Sequence, residues 1–558
     1  MQVRARLIAS TVALVSGLTL LTLAACGGGE TGATDTGATT GGDRQGGTLR
    51  VNIATDTDYT DPALAYYQIS WQHEYATCAK LLNYPDKPAP EGSQLQPEVA
   101  AAMPTVSEDG RTYTFKIRKG FRFSPPSTEE VSARTFKFVI ERDLDPTMSS
   151  PAVSFIRDVV GAEEYKAGKA KEVTGVVARG DTLTITLKQT APDFLARISM
   201  PFFCALPMNT PVEPKGVDTP AAAGPYYIVS RTPNRQIVLE RNPNYGGDRP
   251  ANPDQIVYQV GTKAEQSVLL LRRGEADYIA DALPPAVNAE LARDFGPESR
   301  AAKEGKQQYF INPALVISYL GLNTSRELFK DVNLRKAVNY AVNRPALIRQ
   351  SGAFGGTPTD QYLPPAVLGF KDQKVYPLEG PDLEKARQLA GDKQRKAVLY
   401  TCNTGSCPGR AQVIQANLKE IGIDVEIRQW DRAIQFAKEG TRGEPFDIAD
   451  EGWIADYPDP YDFINILLDG RNIQPKNNVN FSYFNDPAYN RKMDAAAQLS
   501  GDARAKTYEE LDLDIAKNAA PLALYMNDNV RDFFSARVGC QVYQPIYQMD
   551  LAALCIRG

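Results

Sequence analysis

Between Lys396 and Arg428 the chain spells strand, helix and strand in close succession, and few folds accommodate that order. Residues 396–401 form a short apolar run. Residues 411–421 carry helical spacing, Gly422 stands where a helix-ending glycine belongs, and residues 423–428 alternate apolar with polar. Two strands joined through a helix lie parallel, and a parallel sheet needs helices on its faces. Elsewhere the pattern is antiparallel. Residues 112–118 and 181–188 alternate as half-buried strands, and 48–54, 236–240 and 255–260 read as further strands. Helical spacing is expected over 69–82, 128–142, 264–273 (stopped at Gly274), 486–500 and 502–517. The fold class is therefore α/β with some antiparallel strands, without internal repeats. About 510 residues follow the N-terminal tract, too many for one core, so two or three subdomains are expected.

The N-terminus sets the compartment. Arg4 and Arg6 precede an apolar stretch over 7–25, and no Asp or Glu occurs before Glu30. That is the layout of a secretory signal. Its end, Leu23-Ala24-Ala25-Cys26, resembles the lipobox of bacterial lipoproteins, which implies that Cys26 is lipidated and begins the mature chain. An ordinary signal peptide cut near Ala25, or an uncleaved anchor, is the plainer alternative. Residues 26–47 are rich in Gly, Thr and Ala and read as a flexible leash with a reach of roughly 25 Å. The match of residues 27–32 to G-x-G-x-x-G has neither a strand before it nor a helix after it, so it carries no dinucleotide site. No later run is long and apolar enough for a membrane helix. Removing residues 1–25 takes away two Arg and no acid, moving the formal charge from −5 to −7. A mildly acidic chain without basic clusters argues against nucleic acid or direct binding to anionic lipid.

Apart from Cys26 there are six cysteines: Cys78, Cys204, Cys402, Cys407, Cys540 and Cys555. Their fifteen possible pairings stay open in the sequence. Spacing favours Cys402–Cys407 and Cys540–Cys555 as local loops, leaving Cys78–Cys204 as a long-range bridge. A zinc site is disfavoured, since C-x-x-C pairs and histidine clusters are missing.

Catalytic chemistry finds little support. His73 is the sole histidine, which removes Ser-His-Asp and Cys-His arrangements, and Thr77 stands where H-E-x-x-H needs its second ligand. Neither a nucleophile elbow nor a phosphate loop occurs. Asp456 with Asp459 suits a glycosidase pair in residue type only, acids near a turn being ordinarily solvated. No enzyme, cofactor or metal is expected.

Four stretches carry a family likeness: residues 95–101 (LQPEVAA) running on to 107–118 (SEDGRTYTFKIR); 223–228 (AGPYYI) continuing to 239–245 (LERNPNY); 320–324 (LGLNT) followed by 332–344 (VNLRKAVNYAVNR); and 446–460 (FDIADEGWIADYPDP). In this order, and spread over most of the chain, they resemble the family 5 extracellular solute-binding proteins, the peptide- and nickel-type receptors of ABC importers. Ser124-Pro125-Pro126 and Gly246 depart from the family pattern in loops. The resemblance implies a class II periplasmic-binding architecture, with two main lobes around a ligand cleft and an inserted subdomain. The first lobe would comprise 48–77, the insertion 78–204, then 205–308 and a C-terminal return over 525–558; the second lobe would span 309–524. It further implies capture of a short peptide and hinge closure. Delivery to a membrane permease would follow, by a lipid-anchored monomer on the extracytoplasmic face or in the periplasmic space. Another solute, such as an oligosaccharide stacked on Trp71, Trp430 or Trp453, is the alternative. A nickel receptor wants more histidine than His73, and a signalling role in place of transport is not separable by sequence.

The same likeness implies site residues. Asp456 matches the position whose carboxylate pairs with a peptide's α-ammonium group, a charge-assisted bond common to all free-amine peptides. The backbone from Glu451 through Gly452, Trp453 and Ile454 to Ala455 would pair with an extended peptide, and Trp453 and Tyr457 would wall its side chains. The plainer reading has Trp453 in the core and Asp456 capping the turn before Pro458. Thr55, Asp56, Thr57 and Tyr59 follow the first strand on the opposing lobe, and Tyr226 is a further candidate contact.

Overall fold

The computed structural model describes residues 43–557 except Gln45 and Thr128; Cys26, the leader and most of the leash lie outside the described residues. Two sheets organise the chain. The first has the order Tyr278–Ile279, Thr48–Ile53, Gln255–Val260, Gln236–Arg241, Tyr226–Thr232. Its first three strands are parallel and its last three antiparallel. Leu49, Val51 and Ile53 alternate into a core shared with Ile237, Leu239, Ile256 and Tyr258. Each such fully buried aliphatic side chain contributes about 1.5–3 kcal/mol.

The second sheet has six strands in the order Gly356–Pro358, Leu522–Phe533, Tyr309–Leu322, Ile448–Ile454, Arg395–Cys402, Ile423–Trp430. Arg395–Cys402, helix Cys407–Lys419 and Ile423–Trp430 form the strand–helix–strand unit expected from sequence, with the two strands parallel over their whole length. Gly422 is left-handed at φ 74°, as a helix-ending glycine must be. Tyr309–Leu322 and Leu522–Phe533 are unusually long, at 14 and 12 residues. They pair from Tyr309 opposite Phe533 to Gly321 opposite Leu522, and Phe534 then bridges Tyr278 of the first sheet. Leu522–Phe533 pairs within the second sheet along its length, and its end also meets the first sheet, Asp532 Oδ1 accepting from the Tyr278 hydroxyl and Phe533 packing with Ile279.

Between Cys78 and Cys204 lies an antiparallel sheet of Thr105–Val106, Thr112–Lys116, Thr182–Thr186 and Val176–Arg179. Tyr113, Phe115, Leu183 and Ile185 point inward against Phe136 and Ile140 of helix Ala133–Leu144. Disulfides join Cys78–Cys204, Cys402–Cys407 and Cys540–Cys555, at Cα separations of 5.2, 5.4 and 5.4 Å. This is the pairing that spacing favoured. Cys402–Cys407 closes only five residues of chain. Replacing both with Ser is therefore expected to cost about 2 kcal/mol, read from the denaturation midpoint.

Three helices differ from the sequence reading. The helix expected over 69–82 is Gln68–Thr77: Cys78 is extended (φ −77°, ψ 145°), held by its bridge, and the chain runs on to Leu82–Asn83, which pairs with Gln96–Pro97. The helix expected over 128–142 begins at Ala133, because Ser132 and Thr135 form a capping box there. The helix expected from Ala411 begins at Cys407, where Pro408 occupies the first turn. Among the described residues no helix is long and apolar enough to cross a membrane.

Candidate functional site

Strand Ile448–Ile454 builds one side of the site. Along one edge it pairs with Tyr309–Leu322, from Ile448 opposite Leu322 to Ile454 opposite Val316. On its other edge it meets Arg395–Cys402 only at Ile448 and Ala449. Ala455 N donates to Leu315 O. The alternation of an antiparallel ladder then turns Trp453 and Glu451 to that partner and leaves the N–H and C=O of Gly452 and Ile454 facing the other edge, where no described strand pairs with them. The Ile454 side chain is 43% exposed.

The chain then turns into helix Pro460–Leu468. Asp459 caps it, its Oδ1 accepting from Tyr461 N at 2.8 Å, and Pro460 takes the first helical position. This start puts Asp462 in the first turn, against the strand end. Asp462 Oδ2 accepts from Trp453 Nε1 at 3.1 Å and from Asp456 N at 2.9 Å. Its Oδ1 is buried without a hydrogen-bond partner.

Asp456 is 7% exposed. It does not cap the turn: its Oδ2 accepts from the Tyr66 hydroxyl at 2.7 Å, across 390 residues of sequence. Tyr66 comes from the loop that follows the first strand of the other sheet. Asp58 shapes that loop, accepting from Tyr59 N, Tyr66 N, Tyr67 N and Ser70 Oγ. The Tyr66 ring packs on Trp71 and Phe202 at centroid distances of 5.7 and 5.3 Å. Burial pushes the Asp456 carboxyl up to about 7, against the opposing pull of the Tyr66 bond. Burial, and then the charge of Asp456, raises Asp462 well above the usual carboxylate range.

The neighbouring acids are different. Glu451 forms a two-pronged pair with Arg432 at 3.0 and 2.6 Å and accepts from Gln435. Asp450 is held by Arg410, Thr401 and Tyr525. Among the described residues no Lys or Arg forms an ion pair with Asp456 or Asp462. Two buried acids on this strand carry their own cation; the two at its end do not.

The other expected residues fall as follows. Trp453 and Tyr457 are buried in the core, with indole N–H on Asp462 and phenol on Asp193 Oδ2 at 3.0 Å, so neither walls an open site. Asp56 accepts from Thr57 N and Asn234 N and lies 3.6 Å from Arg231, which ties it to the hairpin of its own sheet. Thr55 is exposed, Thr57 is buried, and Tyr59 packs on Ala63, Leu64 and Met148. Tyr226 lies in the core of the first sheet, its hydroxyl donating to Pro253 O at 2.6 Å, and it does not join the site. Trp71 gives its indole N–H to Ala65 O, and Trp430 meets Tyr400 edge-on. His73 is buried in helix Gln68–Thr77, where burial pushes its imidazole down to about 3. Sequence reasoning missed Tyr66, Asp58 and Asp462. Only Asp462, three residues past the Asp459-Pro460 helix start, had a local signal.

Residues 94–475, more than half of the chain, match the family described as bacterial extracellular solute-binding proteins, family 5 (middle). The periplasmic oligopeptide-binding protein OppA of Escherichia coli (strain K12) is 25% identical over 450 residues, covering 76% of this chain and 78% of that protein. Heme-binding protein A of Haemophilus influenzae is 29% identical over 456 residues, covering 77% and 78%. Among solved structures, clavulanic acid biosynthesis oligopeptide binding protein 2 superposes with a TM-score of 0.83 at 23% identity, covering 92% of this chain and 96% of its own.

Proposed function

The chain belongs to the bacterial extracellular solute-binding proteins, family 5, receptors rather than enzymes, and on that premise we propose that it captures short peptides by their free α-ammonium group at Asp456. The observation that carries this reading is a buried carboxylate with no cation of its own, next to the open strand edge at Gly452 and Ile454. An ammonium supplies the missing charge as a charge-assisted hydrogen bond. An extended peptide backbone meets the unpaired N–H and C=O groups as an added strand. Every peptide shares both features, so the arrangement favours the class without choosing a sequence. The oligopeptide-binding name of the Escherichia coli relative supports the same class. The three tryptophans are engaged in packing or hydrogen bonds within the fold, and no observation favours an oligosaccharide.

In this reading Cys26 carries the lipid, residues 27–47 are the leash, and the receptor hands its peptide to the permease of an ABC importer as a monomer. Tyr66 donates from the opposing lobe to the residue that binds the ligand, so closure and capture share one contact.

The reading predicts a pH profile. Protonation of Asp456 below about 7 removes the charge that holds the ammonium, so affinity for a free-amine tripeptide weakens up to tenfold per pH unit below that point. Above about pH 8 the peptide amine itself loses its proton and affinity falls again. Calorimetric titration from pH 5 to 9 is expected to give an optimum between about 7 and 8. The N-acetylated peptide should bind far more weakly, with no such optimum. Equal binding of both peptides would overturn the reading.

A further inference from the structure

Asp456 is not the only carboxyl at this point of the fold that lacks a cation. Asp462 is fully buried. One of its oxygens is occupied by Asp456 N and the Trp453 indole; the other has no partner. Burying an ionised oxygen without a hydrogen bond is costly, and the ordinary remedies are a proton or a cation.

The charged and titratable groups packed around the pair offer no cation. Tyr66 donates to Asp456 from the opposing loop. Tyr457 donates to Asp193, and the charge of Asp462 reaches Tyr84. Arg197, on helix Phe194–Arg197, is bound by Asp158 at 2.9 Å and Asp193 at 3.3 Å. Arg504, on helix Gly501–Asp514, is bound by Asp459 at 2.5 Å. Both arginines are neutralised by their own acids. Two carboxyls in one dry site without a counter-ion cannot both ionise, so together they retain a proton.

We propose that Asp462 is a second ligand-binding carboxylate, which together with Asp456 receives the peptide's primary ammonium in exchange for a proton released to solvent. The inference rests on the reading of Asp456 as the ammonium site. The balance is simple. Before binding, the pair carries one proton and one negative charge. On binding, the ammonium brings one positive charge, the shared proton leaves to water, and both carboxylates face the cation. A primary ammonium has three N–H donors, enough for Asp456, Asp462 and one further acceptor. The site therefore selects a primary amine against an N-methylated or acetylated terminus more strongly than one carboxylate could.

The test is calorimetry of trialanine binding to the full chain at pH 7, in phosphate and in Tris, whose different ionisation heats report the protons released. The wild type is expected to release about one proton per peptide. Asp462→Asn keeps an acceptor for Asp456 N and Trp453 while removing the charge. It is expected to lower the release to about half a proton, the share that Asp456, held up to about 7, gives up alone, and to weaken binding at least tenfold. Asp462→Ser, checked by thermal unfolding, separates loss of charge from loss of packing and should behave alike. Proton release and affinity equal to wild type in both variants would overturn the role of Asp462 while leaving Asp456 in place. Failure of the wild type to bind trialanine at all would overturn the peptide reading, and this inference with it.

Discussion

Asp456→Asn is expected to bind free-amine peptides about 30- to 1,000-fold more weakly than wild type, with the fold intact. Truncating one partner of a buried, hydrogen-bonded charge pair costs about 2–4 kcal/mol or more, and the converted range follows from that. Asn keeps an oxygen to accept from Tyr66, so the contact between the lobes survives. What it lacks is the charge. The loss should vanish for N-acetylated peptides, which already lack the ammonium. Unliganded stability should move the other way. The folded state holds the Asp456 carboxyl up, so it binds more protons than the unfolded chain between pH 4 and 7, and the wild type loses stability as pH rises through that window. Asp456→Asn removes the penalty and should melt at or above the wild-type temperature at pH 8. Thermal unfolding at pH 5 and pH 8 checks the sign.

The largest effect on stability is expected at Arg142. Its guanidinium and the Asp61 carboxylate are both fully buried, with a two-pronged contact at 2.8 and 2.6 Å. Arg142 Nε also donates to Pro211 O, and Asp61 accepts from Ala63 N and Val217 N. The pair thus ties helix Ala133–Leu144 to the loop that presents Tyr66. Arg142→Met should destabilise the protein by about 3–5 kcal/mol, because it strands a buried carboxylate. Adding Asp61→Asn should restore part of that by removing the stranded charge. Urea denaturation of the two variants decides it; a change within about 0.5 kcal/mol for Arg142→Met, the range of an ordinary surface substitution, would show that the pair is not holding this region.

Local pattern was the best guide to the fold. The alternation over 112–118 and 181–188 became paired strands because their odd or even positions could all turn to one core. The strand–helix–strand unit at 395–430 is set by local periodicity and a glycine stop. One boundary was decided non-locally, at Cys78, held extended by a partner 126 residues away, whereas the starts at Ala133 and Cys407 follow local signals, a capping box and a first-turn proline. The site shows the same division. Asp456 was legible through the motif around it. The Asp459-Pro460 helix start, which carries Asp462, was readable too, although nothing local told that the Asp462 carboxyl would be buried without a cation. Tyr66 was not legible, since its hydroxyl meets Asp456 only after two distant segments are brought together. Trp453 and Tyr457 were expected as ligand walls and Tyr226 as a further contact, yet each buries its ring and gives its polar hydrogen to a group within the fold. An aromatic with a satisfied donor is an ordinary core residue.

Mass spectrometry of the solutes that co-purify with the protein, released by mild denaturation, addresses peptide capture most directly. The account predicts a heterogeneous ladder of short peptides with free N-termini, depleted when Asp456→Asn is purified in the same way. A single sugar, haem or other metabolite retained equally by wild type and variant would contradict it.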